Sequence, residues 1–408
     1  MTNVFDTLEA RGFIAQATDR DLIRELLGKP GATFYVGFDP TADSLHVGHY
    51  MPLVAMAHLQ RAGHRPIAVL GTGTAMVGDP SGKTDMRKML TRDQIRHNAT
   101  RFQAQMARLL DFSEGKAMIA DNGDWLMGLN YIEFVREIGS CFSVNRMLAA
   151  DCYKSRMETG LSFLELNYMP MQSYDFLHLF RTYGCRLQMG GDDQWSNILG
   201  GTELIRKKEG ADAFGLTFNL LTTTEGKKMG KTEAGTVWLD AEKTAPFDFY
   251  QYWRNVDDAD VASCLKRLTF LPLERIVSLT AEKGASINQA KKVLAREITA
   301  IVHGEAKADE CARLAQELFE QGGRSDAMPT TAVPAAELAA GVPLPDLLVR
   351  TGLAPSKGEA RRLIQQGGVF VNDAAATDVG RAVGTADVVG GGIVLRKGKK
   401  AWHRVVPG

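Results

Sequence analysis

Two histidines stand three positions apart in the stretch GFDPTADSLHVGHY, residues 37–50. The apolar run at 33–38 precedes them and an apolar stripe of helical spacing follows, which predicts a strand, a loop and a helix that begins near His46 and His49. Backbone amides and imidazoles at a helix start suit polyphosphate oxygens, and Gly48 allows a flat base or ribose to come close. A zinc site and two histidines that merely cap the helix are the alternatives.

Lysines are concentrated in TTTEGKKMGKTEAG, residues 222–235, which also contains three glycines. This composition predicts a mobile loop whose ammonium groups close over phosphates and stabilise a departing pyrophosphate. A solvated surface loop is the alternative.

Two further stretches follow predicted strands, at 71–87 and 189–197. The first lacks the glycine spacing of a P-loop, and the second offers two acids and an amide that suit ribose hydroxyls or an amino group.

Strands and helices alternate along the first 240 residues, and this alternation positions the motifs. Apolar runs that predict strands lie at 33–38, 65–71, 116–121, 185–190 and 214–221, and helical patterns include 91–111 and 194–208. The alternation predicts an α/β domain, residues 1–240, with a Rossmann-like, doubly wound parallel sheet. In such a sheet, ligands bind at the carboxyl ends of the strands.

Two further regions follow the α/β domain. Strand signals fade between residues 246 and 321, and an apolar stripe of helical spacing ends at Gly304, which predicts an all-helical domain. The Ala/Pro-rich residues 322–341 predict a linker. Residues 342–408 carry ten Lys or Arg against five Asp or Glu, and they combine a helical pattern with strand-like runs. We predict a small, basic α+β domain there.

The composition limits the class of protein. The 408 residues include 48 basic and 48 acidic side chains, so a general attraction to nucleic acid or membranes is not indicated. The chain has no run of about 18 apolar residues, and acids near its start differ from a signal or transit peptide. We therefore expect a cytoplasmic protein that does not contact membranes. Its five scattered cysteines lack the pairing of zinc or dithiol sites, so we predict reduced thiols and no metal site.

The motifs, taken in order, resemble a known family. His46-Val-Gly-His49 and Lys228-Met-Gly-Lys231-Thr232 are similar to the two signatures of class I aminoacyl-tRNA synthetases. With GDPSGK, NYMPMQSYDF and GGDDQW in this order, the chain resembles the bacterial-type tyrosyl-tRNA synthetases. The tail, from LPDLLVRTG onward, is similar to the RNA-binding module of the ribosomal protein S-four type. Each motif is moderately specific, whereas the ordered set is strongly so.

The resemblance implies that ATP activates L-tyrosine to tyrosyl-adenylate and pyrophosphate, and that tyrosine then passes to the terminal adenosine of tRNA(Tyr). It assigns the following residues to tyrosine binding: Tyr35, Asp79, Asn122, Tyr168, Gln172, Asp175, Gln188 and Gln194. It assigns these to ATP: Gly37, Asp39, Gly48, Gly191, Asp193, Leu220, Leu221 and Lys231. It assigns catalytic roles to Thr41, His46, His49, Lys83, Arg87, Lys228, Lys231 and Thr232. Mg²⁺ is expected to bind the ATP phosphates. RNA binding falls to Lys357, Arg361 and Arg362.

The same resemblance implies a homodimer with Phe163 at the subunit interface, and it places the helical domain on the anticodon side. The chain departs from the family pattern at several positions. Gly230 and Thr232 replace signature serines, which removes one hydroxyl and predicts a more flexible loop. Val36 and Asp192 stand where the family commonly has other residues, and Asp192 is expected to add negative charge near the nucleotide.

Three other functions are open to a chain with these motifs. Nucleotidyl transferases with a His-x-Gly-His signature are usually much shorter and lack the lysine loop and basic tail. Tryptophanyl-tRNA synthetases lack the tail, and Tyr35 with Asp175 favours a phenol. An RNA-binding factor with a decayed active site is the third, and the intact signature residues argue against decay.

Overall fold

The computed structural model describes residues 3–81, 90–232, 235–281, 285–320, 329–398 and 401–408. The chain forms two compact units, Met1–Asp309 and Glu310–Gly408. In the described part of the chain, no helix combines the length and apolar character that are needed to cross a membrane.

The first unit alternates strands and helices before it becomes helical. In chain order its elements are α1 (Val4–Ala10), β1 (Ile14–Ala17), α2 (Arg20–Leu26), β2 (Thr33–Phe38), α3 (Val47–Arg61), β3 (Arg65–Leu70), α4 (Arg92–Met106), β4 (Met118–Asp121), α5 (Gly123–Leu126), α6 (Tyr131–Glu137), α7 (Val144–Leu148), α8 (Asp151–Thr159), α9 (Phe163–Leu166), α10 (Tyr168–Tyr183), β5 (Leu187–Gly191), α11 (Trp195–Glu209), β6 (Phe214–Phe218), β7 (Lys231–Thr232), β8 (Gly235–Thr236), α12 (Pro246–Arg254), α13 (Val261–Leu268), α14 (Leu273–Thr280) and α15 (Ala285–His303).

A sheet with the strand order β1-β6-β5-β2-β3-β4 forms the centre of this unit. Strands β2 to β6 run parallel, whereas β1 pairs antiparallel with β6. The chain leaves β2 toward β3 and β4, then returns to the other side of β2 for β5 and β6. This reversal between β2 and β5 confirms the predicted doubly wound arrangement and creates a crevice at the carboxyl ends of the two strands. The antiparallel edge strand was not part of the prediction.

Burial on both faces explains why β2 reads as a continuous apolar run. Phe34, Tyr35 and Val36 are all buried, as is typical of a parallel strand covered on both sides. The helix α3 begins directly after His46, whose imidazole caps it, and most of its apolar residues are buried. The sequence therefore brings the histidine pair to the carboxyl end of β2.

Helices α12 to α15 confirm the prediction that residues after 246 are helical, but they belong to the same compact unit as the sheet. The guanidinium group of Arg11 donates hydrogen bonds to the carbonyls of Lys266, Thr269 and Leu271. The hydroxyl of Tyr50, in α3, donates to the carbonyl of Leu268. These buried contacts join the helices to the N-terminal part of the chain, which sequence periodicity does not reveal.

The second unit is a small α+β domain, as predicted. Its elements follow α16 (Glu305–Glu320), which begins in the first unit: β9 (Thr330–Val333), α17 (Ala335–Ala340), β10 (Val342–Pro343), α18 (Leu344–Arg350), α19 (Lys357–Gln365), β11 (Val369–Val371), β12 (Ala374–Ala375), β13 (Ala382–Val383), β14 (Ile393–Lys397) and β15 (Ala401–Pro407). The main sheet has the order β12-β11-β14-β15-β9. Ser356 caps α19 by accepting a hydrogen bond from the backbone N–H of Glu359.

The predicted linker at 322–341 is wrong over residues 330–340. Strand β9 pairs parallel with β15, and the side chains of Val333 and Leu338 lie buried in the core of the second unit. Val333 and Leu338 provide most of the apolar contact of residues 330–340. The Ala/Pro-rich sequence therefore shows no apolar pattern long enough to predict a strand or a helix. Residues 322–328 lie outside the described residues.

Candidate active site at the carboxyl ends of the strands

A cavity of about 520 Å³ opens where the strand order reverses. The ends of β2 and β5, the first turn of α3, part of α10 and the lysine loop (residues 222–235) all contribute to its walls. This is the position at which open α/β sheets bind their ligands.

Asp175, on α10, lies at the deep end of this cavity and is only 3% exposed. Its carboxylate accepts hydrogen bonds from Asn122 Nδ2 at 2.9 Å and from Trp125 Nε1 at 2.7 Å. Two neutral donors therefore fix the carboxylate, and its remaining lone pairs stay available for a third donor.

Two buried polar atoms of residues that line the cavity have no hydrogen-bond partner in the described part of the chain. They are the hydroxyl oxygen of Tyr35 and Oε1 of Gln188. The two residues are neighbours across the β2–β5 pairing, so both groups lie at the same level of the sheet. Leaving a buried polar group unpaired is unfavourable by about 1–3 kcal/mol. The arrangement is thus incomplete without a polar ligand.

Burial dominates the electrostatics of this deep pocket. It raises the pKa of Asp175 to about 7, against the opposing hydrogen bonds from Asn122 and Trp125. Burial, and then the charge of Asp175, raise the pKa of Tyr35 well above its usual value. Tyr35 therefore stays neutral and keeps its hydroxyl proton.

Two further carboxylates lie in the cavity wall above Asp175. Asp39 accepts hydrogen bonds from the hydroxyls of Tyr168, at 3.0 Å, and Thr74, at 2.7 Å. Asp79 accepts from Gln194 Nε2 at 2.7 Å. Carboxylates that are held in place by neutral donors form a suitable site for a cationic amine.

The two signature histidines form a reciprocal cap at the start of α3. His46 Nδ1 accepts from the N–H of Gly48 at 3.0 Å, and His49 Nδ1 accepts from the N–H of His46 at 3.2 Å. Their rings stack with centroids 3.9 Å apart. Since each Nδ1 is an acceptor, a neutral ring carries its proton on Nε2 and offers an N–H donor there. Capping and ligand binding are therefore compatible functions of the same pair.

Two glycines allow close packing at the start of α3, one beside the His46 ring and one where the lysine loop meets the helix. A Cβ atom on Gly48 would lie 2.8 Å from Cε1 of His46, so a side chain there would displace the ring. Gly230 has a φ of +83°, and a Cβ atom on it would lie 2.7 Å from Cβ of Val47. The glycine in the lysine signature is therefore required by its backbone conformation and by contact with α3.

The lysine loop presents two ammonium groups to the cavity. Lys228 and Lys231 are both exposed and both line it. Neither is paired with a carboxylate within the residues that the structure describes. Thr232 is different, because its hydroxyl bonds to the carbonyl of Gly235 and it lines a neighbouring cavity instead. Lys228 and Lys231 also line that neighbouring cavity, so the two lysines lie between the two cavities.

Comparison with known proteins agrees with this geometry. Residues 29–320 match the family model of class I tRNA synthetases (W and Y), and residues 320–405 match that of the tyrosine–tRNA ligase SYY-like C-terminal domain. The chain belongs to the class I tyrosyl-tRNA synthetase family. A tyrosine–tRNA ligase of Acetivibrio thermocellus is 59% identical and covers 99% of each chain, and one of Clostridium botulinum is 57% identical over 100% of each. A C-terminally truncated mitochondrial tyrosyl-tRNA synthetase of Aspergillus nidulans has a TM-score of 0.70 and 30% identity, covering 78% of this chain and 95% of that chain.

Most residues that the resemblance to tyrosyl-tRNA synthetases selected lie together in the cavity. Besides those described above, the lining includes Gly37, Thr41, Gln172, Gly191, Asp193, Leu220 and Leu221. Thr232 lies outside it, and Lys83 and Arg87 lie outside the described residues. Asp192 does not line the cavity either: its Oδ1 accepts hydrogen bonds from Gln16 and Thr217. Val36 is a buried strand residue in the cavity wall.

Sequence reasoning did not single out several residues that contact the predicted site residues, and three of them are polar or aromatic partners. Trp125 binds Asp175, Thr74 binds Asp39, and Trp238 packs edge-on against the ring of His46. Their types carry no signature of chemistry, and their contacts span long sequence separations. The one available signal was the position of Trp125 just after β4, at the carboxyl edge of the sheet.

The predicted RNA-binding residues lie on α19 of the second unit. Lys357 pairs with Asp346 at 2.9 Å, and Arg362 pairs with Glu359. Arg361 is exposed. Exposed pairs of this kind contribute roughly 0–1 kcal/mol, so they exchange readily for phosphate contacts.

Proposed function

We propose that this chain is a tyrosine–tRNA ligase that works through the cavity at the carboxyl ends of β2 and β5. It activates L-tyrosine with ATP to tyrosyl-adenylate and pyrophosphate. It then transfers the tyrosyl group to the 3′-terminal adenosine of tRNA(Tyr).

The observation that carries this proposal is the incomplete hydrogen bonding at the deep end of the cavity. A phenol hydroxyl donates to Asp175 and accepts from the hydroxyl of Tyr35, so it satisfies both groups at once. Phenylalanine has the same ring, but it would leave the hydroxyl of Tyr35 without a partner and Asp175 without a third donor. The pocket therefore selects tyrosine through a hydroxyl group.

The other end of the amino acid faces the carboxylates higher in the wall. We assign the α-ammonium group to Tyr168, Gln172 and Asp79, all of which line the cavity. Gln194, which bonds Asp79, is assigned to the reacting carboxylate. Between its phenol and ammonium ends the substrate is fixed, and its carboxylate is aimed at the nucleotide.

The carboxylate of tyrosine attacks the α-phosphorus of ATP, and the bond from that phosphorus to the departing pyrophosphate breaks. The attacking group is already ionised at neutral pH, so no protein nucleophile or base is required. The Nε2–H donors of His46 and His49 and the ammonium groups of Lys228 and Lys231 are assigned to the phosphate oxygens. They stabilise charge that builds up as pyrophosphate leaves.

We propose that Mg²⁺ arrives with the phosphates of ATP. Within the described residues, no group of three or more His, Cys, Asp or Glu side chains could hold a metal ion. Mg²⁺ commonly binds substrate phosphates and keeps several waters, which fits a site without a protein cage. Its charge offsets that of the phosphates. Exchange assays with and without Mg²⁺ test this proposal, which predicts no exchange in its absence.

The second unit is assigned to tRNA. Exposed cations on α19, Arg361 among them, suit a phosphate backbone, and residues 342–408 carry an excess of five positive charges. The substrates ATP and tRNA are cytoplasmic in bacteria, and we propose the same location for this protein.

We also propose a homodimer. Large apolar side chains are exposed on α6 and α9, where Ile132 and Phe163 are each 69% exposed, together with Tyr131, Val135 and Leu164. Apolar surface of this kind marks interfaces rather than free surface. Sedimentation equilibrium of the intact protein is expected to give twice the chain mass, and Phe163→Asp should shift it toward the monomer. A monomeric wild-type protein would remove the proposal.

Exchange of labelled pyrophosphate into ATP tests the activity itself. We expect exchange with tyrosine and none with phenylalanine, since only tyrosine satisfies Asp175 and Tyr35. Equal exchange with both amino acids would contradict the proposed selection.

A further inference from the structure

Two short hairpins make up the lysine loop, with Gly230 between them. In the first, Thr223 N–H donates to the carbonyl of Lys227 and Met229 N–H donates to that of Leu221. The second is formed by β7 and β8. The two lysines that face the cavity lie on either side of the junction, Lys228 in the first hairpin and Lys231 in the second. The position of the junction therefore sets the position of both ammonium groups.

Side chains of the helical segment hold this junction and the first hairpin. The hydroxyl oxygen of Tyr252, on α12, accepts a hydrogen bond from Gly230 N–H at 2.7 Å. Oδ1 of Asp260, just before α13, accepts from Thr224 N–H at 2.8 Å. Met229, between the two anchors, is buried with its sulfur 3.9 Å from Cys264 Sγ.

Both anchors are largely shielded from solvent. Asp260 is only 3% exposed, and Tyr252 is sufficiently enclosed that burial raises its pKa. A carboxylate that accepts from a backbone N–H makes one of the stronger hydrogen bonds in proteins. The two contacts therefore restrict the hairpins more than a solvent-exposed bond would.

We propose that Tyr252 and Asp260 are positioning residues that hold the lysine loop in the arrangement required for adenylate formation. This inference rests on the proposed function, because it assigns Lys228 and Lys231 to the leaving pyrophosphate. Neither anchor lines the catalytic cavity, and both line the neighbouring cavity that Lys228 and Lys231 also border. They act by restricting the lysines in advance, which lowers the entropy lost when the charged groups meet the phosphates.

The decisive variant is Tyr252→Phe, which removes one hydroxyl and keeps the ring. The single-turnover rate of adenylate formation is expected to fall roughly 3- to 10-fold, the range for loss of one hydrogen bond. Tyrosine affinity, measured by equilibrium dialysis, is expected to stay unchanged. Tyr183→Phe, an equivalent change at an exposed position, serves as the control and should leave both quantities unchanged.

A second comparison separates positioning from a general structural role. If Tyr252 acts through the lysines, Tyr252→Phe should have almost no effect in a protein that already carries Lys228→Ala and Lys231→Ala. An equal fall in that background, or a similar loss of tyrosine affinity, would overturn the proposal. Asp260→Asn keeps an acceptor for Thr224 but removes its charge, and we expect a smaller fall in the same step.

The outcome also distinguishes this inference from the proposed function. Wild-type protein without any tyrosine-dependent exchange would remove the function and the inference together. An active wild-type protein with an unaffected Tyr252→Phe variant, folded as judged by its melting temperature, would remove the inference alone.

Discussion

The carboxylate of Asp175 is held by two neutral donors, Asn122 and Trp125, in a fully buried position. Neutral donors fix its orientation without neutralising its charge, so burial raises its pKa to about 7. The ionised form of Asp175 is therefore stabilised by one more hydrogen-bond donor. A phenol hydroxyl provides that bond, whereas an apolar ring does not.

This environment makes a prediction for stability against pH. An unfolded Asp ionises near pH 4, whereas folded Asp175 stays protonated up to about 7. Between these two pH values Asp175 is protonated in the folded state and ionised in the unfolded state. The free energy of unfolding therefore falls as pH rises, by at most about 1.4 kcal/mol per pH unit. Asp175→Asn lacks this dependence. The difference in free energy of unfolding, variant minus wild type, is expected to grow from pH 4 to 7 and then level off.

Urea unfolding at several pH values measures this difference, and comparing two proteins cancels the opposing contributions of the buried histidines. His58, for example, has its pKa lowered to about 3 by burial. A difference that does not change with pH would show that Asp175 titrates normally in the folded protein.

Single residues were predictable where the motifs carried them. Tyr35 and Asp175 came from ordered sequence motifs, and the structure brings them together. Trp125 was not predicted, because it lies fifty positions from Asp175 in the sequence and their hydrogen bond leaves no local pattern. Thr232 was assigned to the site by its place in the signature, but it lines the neighbouring cavity and not the catalytic one.

At the scale of elements, the lysine loop combines features that sequence composition describes poorly. Three glycines suggested flexibility, yet Gly230 is buried, accepts a bond from Val237 N–H and packs against the start of α3. The departure from the serine of the family signature thus has a steric reason. The loop contacts two helices: Gly230 packs against Val47 of α3 and donates a hydrogen bond to Tyr252 of α12.

The role of this element is tested by Lys231→Ala. We expect the rate of adenylate formation to fall by roughly 10-fold or more, since a charge-assisted contact to phosphate is lost, while tyrosine affinity changes little. Lys227→Ala is the matched control, because Lys227 is paired with Glu225 and does not line the catalytic cavity. Stopped-flow measurement of the first turnover separates the two quantities. Equal losses in rate and tyrosine affinity would remove the role in the transition state.

At the scale of the whole molecule, the chain divides into a unit that contains the described residues of the cavity and a unit that contains the α19 cations. Sequence reasoning predicted the parallel sheet, the helical segment and the basic tail. It misplaced the start of the second unit, because the short strand β9 pairs with β15 at the far end of the chain. Pairing over such a sequence distance is invisible to local composition.

Truncation tests whether the first unit activates tyrosine and the second unit is needed for tRNA charging. A chain that ends at residue 320 is expected to keep tyrosine-dependent exchange and to lose tRNA charging, by roughly 10-fold or more in kcat/KM, with the loss of phosphate contacts. A chain that ends at residue 341 is the control for the boundary. It retains β9 and α17 but exposes Val333 and Leu338, so it should aggregate more readily. Charging that survives truncation at 320 would refute the RNA role of the second unit.

Exchange of labelled pyrophosphate into ATP, measured without tRNA for each of the twenty amino acids, tests whether this cavity activates tyrosine. The cavity with Tyr35, Gln188 and Asp175 at its deep end predicts exchange with tyrosine alone. Asp175→Asn should abolish it even at high tyrosine concentration. Exchange that is driven by tryptophan or phenylalanine, or by no amino acid, would contradict the assignment of this pocket to tyrosine activation.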